Sequence, residues 1–204
     1  MAGGLRLGGG DELQRGVGAT PAGLTLIEHW NGTAWSFVPT PNFISAGDQN
    51  NLTGVSADGA GNVWASGFAD NVNGENLRVP YVLHWNGTSR TMTDVPTLGT
   101  EGSALRGIQV ISPAYVWAVG QTQEDNGAIS TLAEQFNGKA WAVSPSPDPG
   151  TIGTGGLGTT SGATISDNSL DSVASAGRTD LFAVGVQFLI GHGERTLAID
   201  TTQG

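Results

Sequence analysis

Three short motifs recur in the same order along the chain, and this repetition limits its fold more than any other feature. The first motif is an aromatic residue followed by Asn-Gly, and the second is an aromatic residue followed by Ala, one variable residue and Gly. Successive copies lie about 50 to 65 residues apart, a period typical of propeller blades and other stacked arrays. The repeat positions are Trp30, Asn31, Gly32, Trp85, Asn86, Gly87, Phe136, Asn137 and Gly138 in the first motif, and Trp64, Gly67, Trp117, Gly120, Phe182 and Gly185 in the second.

A third motif, which begins at Leu52, Leu105 and Leu170, precedes each copy of the second motif. Turn-forming residues separate the motifs, so each motif is predicted to form a short strand. Strand A holds the leucine motif, strand B holds the second motif, strand C ends at Asn-Gly and strand D follows it. Glycine in strand A indicates crowded backbone, and the aromatic residue of strand B is expected to pack between neighbouring sheets. Proline follows every strand D, which predicts that D is the outer edge strand.

The Asn-Gly pairs are predicted to form the turns between strands C and D. Both central residues of a type I′ hairpin turn need a positive φ, which Asn and Gly tolerate best. Asn31 and Asn86 also fit the N-glycosylation pattern, as does Asn51. In the third copy Lys139 replaces the threonine, so the glycosylation pattern is lost while Asn-Gly remains. The turn therefore explains the motif better, and modification in a glycosylating host stays open.

Four antiparallel strands per repeat predict an all-β, β-propeller-like fold of about 3.5 blades. A two-sheet sandwich is the competing architecture, but it gives no reason for a four-strand period. The repeat domain covers 13–204, with blade units near 13–43, 44–98, 99–148 and 149–204. Because these units are too few for a complete ring, we expect an open arc or an incomplete four-bladed ring, and two chains that share a ring are the alternative. The exposed blade faces would be apolar, which predicts self-association.

The stretches "TLIEHWNGTAWSFVPTPN" and "NVWASG" resemble the repeats of bacterial Kelch-like and galactose-oxidase-type β-propeller proteins, which are often exported. The resemblance covers about residues 13 to 204, and it implies a propeller that is extracellular or lies at the cell surface. It does not carry over the oxidase activity, because that activity relies on a copper site with a Tyr-Cys crosslink and this chain has no cysteine. The resemblance is specific for the repeat and not for an activity.

The charge balance of the chain excludes several partners. It carries 8 basic and 18 acidic residues, a formal net charge of -10, whereas binding a phosphate backbone needs a basic surface. We therefore expect no nucleic acid and no anionic membrane as partner. No apolar run has the length of a membrane span. Residues 1–12 lack the apolar core of a signal peptide and are predicted to be a disordered leader or a truncation point.

The sequence contains no recognisable catalytic set. It has neither the G-x-S-x-G nucleophile motif nor the H-E-x-x-H zinc motif. His29 and His84 occupy the same repeat position, where the third copy has Gln135, so both are interpreted as structural residues of strand C. Enzymatic activity is therefore less expected than binding or a structural role.

The segments between strands B and C carry the candidate binding residues, because repeat scaffolds place function in their loops. These loops are predicted at 68–80, 121–130 and 186–195. Their carboxylates and amides could also coordinate Ca²⁺ through oxygen atoms, although no stretch has EF-hand spacing, and no other metal or cofactor is predicted. The candidate residues are Asp70, Asn73, Glu75, Arg78, Glu124, Asp125 and Asn126.

Three functions remain open from the sequence. The first is a non-enzymatic binding module, part of a larger bacterial exported or surface protein, that recognises protein or glycan through its inter-strand loops. The second is a fragment of a carbohydrate-active hydrolase, lyase or oxidase with a propeller fold. The third is a purely structural repeat segment.

Overall fold

The computed structural model describes residues 22–45, 47–59, 61–148, 165–189 and 193–200. Within these ranges the chain forms thirteen β-strands, a single turn of 3-10 helix at Val72–Gly74 and no α-helix. The all-β prediction is therefore confirmed. We find no helical segment in this part of the chain with the length and apolar character of a membrane span. The leader predicted at 1–12 lies outside the described residues.

The strands follow the order that the motifs predict. In chain order they are β1 (Glu28–Trp30), β2 (Trp35–Phe37), β3 (Gln49–Gly59), β4 (Asn62–Asp70), β5 (Val79–Trp85), β6 (Arg90–Asp94), β7 (Gly102–Ser112), β8 (Tyr115–Gln123), β9 (Ile129–Phe136), β10 (Trp141–Ser144), β11 (Ile165–Ser175), β12 (Leu181–Leu189) and β13 (Gly193–Asp200). We call β1–β2 the first repeat, β3–β6 the second, β7–β10 the third and β11–β13 the fourth.

The strands form three sheets. β1 pairs with β2, and β3 to β6 form an antiparallel sheet in chain order. The third sheet has the order β13-β12-β11-β9-β8-β7, with β10 paired to β9. In the second and third repeats, strand D (β6 and β10) pairs only with strand C, so it is the edge strand that the prolines predict.

Single parallel bridges join successive repeats. β9 and β11 pair at one residue of each strand, which merges the third and fourth repeats into one sheet. Equivalent bridges occur at the other two junctions. Each joins a residue at or before the start of strand C to a residue near the start of strand A in the next repeat. The bridges link Gly23 with Gln49, Arg78 with Gly102, and Ile129 with Asp167. The repeats are thus attached at equivalent positions, and the described strands close neither a barrel nor a ring.

The A strands of successive repeats pack on one another. β3 contacts β7, and β7 contacts β11. A Cβ on Gly54 would lie 3.0 Å from the carbonyl oxygen of Arg106 and 3.3 Å from the Cα of Gly107. A Cβ on Gly107 would in turn lie 2.9 Å from the Cα of Ser172. Glycine therefore permits this close backbone approach, and the prediction of crowded backbone in strand A is confirmed.

The glycine that ends the second motif lies against a bulge in strand A. The pairing of strands A and B shifts register directly after the motif leucine in the second, third and fourth repeats. Opposite this bulge, a Cβ on Gly120 would overlap the carbonyl oxygen of Ala104, and Gly67 and Gly185 face equivalent carbonyls. Because no larger residue fits there, glycine recurs at this position.

The bulge residues also contact the next repeat. Thr53 donates a hydrogen bond from its hydroxyl to the carbonyl oxygen of Leu105, at 2.7 Å. The Nε of Arg106, in the bulge of β7, lies 3.6 Å from Oδ1 of Asp171, in the bulge of β11. The same guanidinium donates two hydrogen bonds to Oε1 of Gln121. Polar side chains therefore connect the stacked A strands, although none of the three motifs indicates such a contact.

Aromatic side chains fill the junction between the second and third repeats. The ring of Trp64 stacks on His84 of its own sheet, with centroids 3.8 Å apart and an interplanar angle of 14°. Its centroid also lies 5.0 Å from that of Phe136 and 5.9 Å from that of Trp141, both in the C–D hairpin of the third repeat. The expected packing of the strand B aromatic residue between sheets is therefore confirmed for Trp64. Its counterpart Phe182 is 44% exposed.

The Asn-Gly turns form where expected, but their type differs from the prediction. Positive φ values of 89° to 96° fall on the glycine of each copy and not on its asparagine, so the type I′ assignment is wrong. The Oδ1 atom of Asn31 instead accepts hydrogen bonds from the backbone N–H groups of Thr33 and Ala34. The other two copies make the same pair of bonds. Asparagine recurs because its side chain closes the turn.

Strands B and C extend into the segments that were predicted as loops. The connections cover only 71–78 in the second repeat and 124–128 in the third. Pro80, predicted to end the first loop, lies within β5 and pairs with Phe68. The loop boundaries were therefore wrong, because strand B stays paired with both of its neighbours beyond the motif glycine.

We expect Gly120→Ala to lower the free energy of unfolding by roughly 1–3 kcal/mol or more, since the added methyl would overlap the backbone of β7. Gly59→Ala is the matched control, because a Cβ at that position meets no atom within 4 Å. Chemical denaturation followed by tryptophan fluorescence measures both. Equal stability of the two variants would contradict the explanation given for the recurring glycine.

Candidate functional site

A small polar groove lies where the B–C loop of the second repeat meets the third repeat. It has a volume of about 100 Å³. We call it the junction groove, and its lining residues are Asp70, Asn71, Asn76, Leu77, Arg78, Glu101 and Gln123. The first five belong to the end of β4 and the following loop, and the last two belong to the third repeat. The groove therefore exists only where two repeats meet.

Arg78 is the central cation of the junction groove. Its Nε lies 2.8 Å from Oδ1 of Asp70, and its guanidinium carbon lies 4.6 Å from the ring centroid of Phe68. Its backbone N–H donates to Glu101 O, and its carbonyl accepts from the N–H of Ser103. The bridge between repeats thus holds the Arg78 backbone, while the ion pair and the aromatic ring orient its side chain.

Asn73, in the same loop, forms hydrogen bonds with the segment between β2 and β3. The buried carboxylate of Asp48 accepts a hydrogen bond from the backbone N–H of Asn73, at 3.1 Å. The hydroxyl of Ser45 donates to Oδ1 of Asn73, also at 3.1 Å. Glu75 is exposed. Two of the four candidates in this loop, Asp70 and Arg78, therefore line the groove together, whereas Asn73 and Glu75 are not among its lining residues.

The candidates of the third repeat bind their loop to Thr100, which lies just before β7, and close the loop itself. Oε2 of Glu124 accepts hydrogen bonds from the backbone N–H and the hydroxyl of Thr100, at 3.0 and 2.9 Å. The backbone N–H of Asp125 donates to the same hydroxyl oxygen, and Oδ1 of Asn126 accepts from the N–H of Ala128. These three residues follow Gln123 in the chain but are not among those that line the groove.

The structure does not gather the carboxylates for metal binding in the part that it describes. No group of three or more histidine and carboxylate side chains lies close enough together to hold an ion among those residues. The Ca²⁺ hypothesis therefore gains no support from the described loops. The third predicted loop falls partly on residues 190–192, which lie outside the described residues.

His84 has a defined set of contacts within the aromatic junction. Oδ1 of Asn62 lies 2.8 Å from both Nε2 of His84 and Nε1 of Trp64, while Nδ2 of Asn62 donates to Asp58. Because the Asp58 carboxylate fixes the amide orientation, Nε2 of His84 carries the proton. Burial lowers the pKa of His84, and the nearby charge of Asp58 opposes this effect in part. Asn62 thus orients the rings of His84 and Trp64, whereas His29 is exposed.

Glu134 is the most perturbed carboxyl group among the described residues. It lies in β9, is 0% exposed, and neither carboxyl oxygen has a hydrogen-bond partner. Burial raises its pKa from 4.5 to about 8. A perturbed carboxyl group is often catalytic when it lies in a cleft. Glu134 instead lies within the sheet, paired with Ala118 and Val143, and does not line the junction groove.

No protein-family model matches the chain, and no curated protein matches it either. The resemblance to Kelch-like repeats therefore stays a prediction that depends on the motifs.

We expect Glu134→Leu to stabilise the protein above neutral pH. The pKa of Glu134 is about 8 in the folded protein and has the ordinary value of 4.5 in the unfolded chain. Between these pH values the folded protein keeps the Glu134 proton, whereas the unfolded chain releases it. The free energy of unfolding of the unmodified protein should therefore fall as pH rises from about 4.5 to 8, by on the order of a few kcal/mol. The leucine variant should lose this slope because leucine carries no titratable group. The position can hold leucine, since the equivalent residue of the second repeat is the buried Leu83.

Thermal unfolding measured between pH 5 and pH 9 tests this expectation. Glu75→Leu is the control, because Glu75 is exposed in the 71–78 loop, and the fall of the melting temperature with pH should persist in this variant. A melting temperature of the unmodified protein that does not fall between these pH values would contradict the assignment.

Proposed function

We propose that this chain is a non-enzymatic, β-propeller-like module that binds a glycan through its inter-strand loops, as part of a larger bacterial exported or surface protein. The observation that carries the binding role is the junction groove, which combines an oriented guanidinium, carboxylates and amides.

The propeller-like arrangement is supported by the strand order and the packing. In the second and third repeats the chain runs A to D across the sheet, with A against the next repeat and D at the edge. Stacked A strands with outward D strands are what a series of blades requires. The described strands amount to part of such a series.

The chemistry of the groove favours a glycan over a protein. Carboxylates, amides and a guanidinium offer both acceptors and donors, which suits the hydroxyl groups of a sugar. The cores of protein interfaces are usually rich in exposed aromatic residues, and the groove lining contains none. Its volume of about 100 Å³ also falls below the roughly 300–1,000 Å³ of typical enclosed ligand pockets. A surface subsite for one part of a longer ligand fits this size.

A purely structural role is the second candidate function. The apolar faces at both ends of the described array favour it, because they suit packing against further sheets. A structural segment would bind no glycan at the groove, so the two functions are separable.

Glycan-array binding of the purified protein, followed by calorimetry with the best ligand, tests the proposal. Arg78→Ala should weaken binding about tenfold or more, because a hydrogen bond from a charged group is typically worth 1.5–3 kcal/mol. Gln123→Ala should weaken it less. Arg90→Ala is the matched control, since Arg90 also lies over an aromatic ring, that of Trp85 at the other end of β5.

Three outcomes would contradict this function. Binding that is equal in Arg78→Ala and Arg90→Ala would place the site elsewhere. Turnover of a bound glycan would indicate a carbohydrate-active enzyme. If the chain bound no glycan and a protein bound at the groove instead, the ligand would be a protein and not a glycan.

A further inference from the structure

Two apolar faces are exposed at opposite ends of the described array. The first, called the hairpin face, belongs to β1–β2 and the residues just before them. The second, called the β12 face, belongs to the B strand of the fourth repeat. The hairpin face consists of Leu24, Leu26, Trp30, Trp35 and Phe37, which are 62%, 68%, 47%, 64% and 61% exposed, and the β12 face consists of Phe182, Val184 and Val186, which are 44%, 45% and 38% exposed.

The interior of the chain shows what such faces contact. At the junction between the second and third repeats, Trp64 of strand B packs against Phe136 and Trp141 of the next C–D hairpin. Trp64 is 1% exposed and Trp141 is 7% exposed. Trp64 and Trp141 are therefore almost completely covered where strand B meets the following C–D hairpin.

The two end faces are the two halves of this same interface. Phe182 occupies the Trp64 position of its repeat, since both precede the motif glycine by three residues. Trp30 and Trp35 pair across their hairpin in the register in which Phe136 and Trp141 pair. Glu28 lies beside the hairpin face at the position that Glu134 occupies in the third repeat, where Glu134 is buried.

We propose that two copies of this chain associate head to tail, with Phe182 of one copy packed against Trp30 and Trp35 of the other. The second copy is the occupant because its hairpin face supplies the same kind of C–D hairpin that covers Trp64 in the interior, and the two faces do not cover each other within one chain. The contact joins two different surfaces and is therefore heterologous, which produces a closed ring or a chain of copies. The inference depends on the repeat geometry and not on glycan binding.

Self-association is expected to depend on both faces. Analytical ultracentrifugation of the unmodified protein should show species above the monomer mass of 20.8 kDa that increase with concentration. Phe182→Glu and Trp35→Glu should each weaken association about 30-fold or more, the effect of losing an interface residue worth at least 2 kcal/mol. Ile44→Glu is the control, since Ile44 is 67% exposed but belongs to neither end face.

Mixing the two variants separates head-to-tail contact from other modes. Phe182→Glu keeps an intact hairpin face and Trp35→Glu keeps an intact β12 face, so an equimolar mixture should form a species of two chains while each variant alone stays monomeric. Circular dichroism confirms that both variants are folded. A monomeric unmodified protein at all concentrations, continued association of Phe182→Glu alone, or a monomeric mixture would each overturn the proposal.

Discussion

Close contact between the backbones of successive A strands is the constraint on which the rest of the structure depends. Gly54 and Gly107 lack side chains where the next strand passes, so β3, β7 and β11 approach more closely than ordinary side chains would permit. This approach sets the separation of the sheets. It brings Trp64 within reach of the following hairpin, and it places Glu101 and Gln123 beside the loop that carries Arg78. The core and the groove are therefore consequences of the same contact.

The interior and the groove use charge in opposite ways. Arg78 and Asp70 are each about a third exposed and form an ion pair that remains accessible to solvent. Glu134 is enclosed without a partner, and burial favours its neutral form. An accessible ion pair can exchange its partners for those of a ligand at little desolvation cost, whereas an enclosed carboxyl group mainly makes stability depend on pH. The physical setting of each group, and not its residue type, determines its role.

The repeat motifs predicted strand identity and order because both depend on local patterns. Gly120 and Trp64, which the motifs single out, lie against the backbone of strand A and in the core, respectively. The turn type was wrong because Asn-Gly can close a hairpin with the asparagine side chain, as Asn31 does, without a positive φ at that residue. Glu101 and Gln123 were missed because they reach the groove from another repeat. The packing of the A strands and the bridge between Arg78 and Gly102 bring them there, and no local pattern encodes such a contact.

The parallel bridges have a consequence for how the chain tolerates changes in length. The segment between β6 and β7 covers 95–101, and that between β10 and β11 covers 145–164, yet the same bridge follows both. The length of the connection from strand D to the next strand A therefore does not determine where two repeats are bridged. The segment between β6 and β7 contributes Val95 to the core and Glu101 to the groove, so an inserted domain would disturb that junction. The longer connection between β10 and β11 is thus the insertion point that this scaffold offers for engineering.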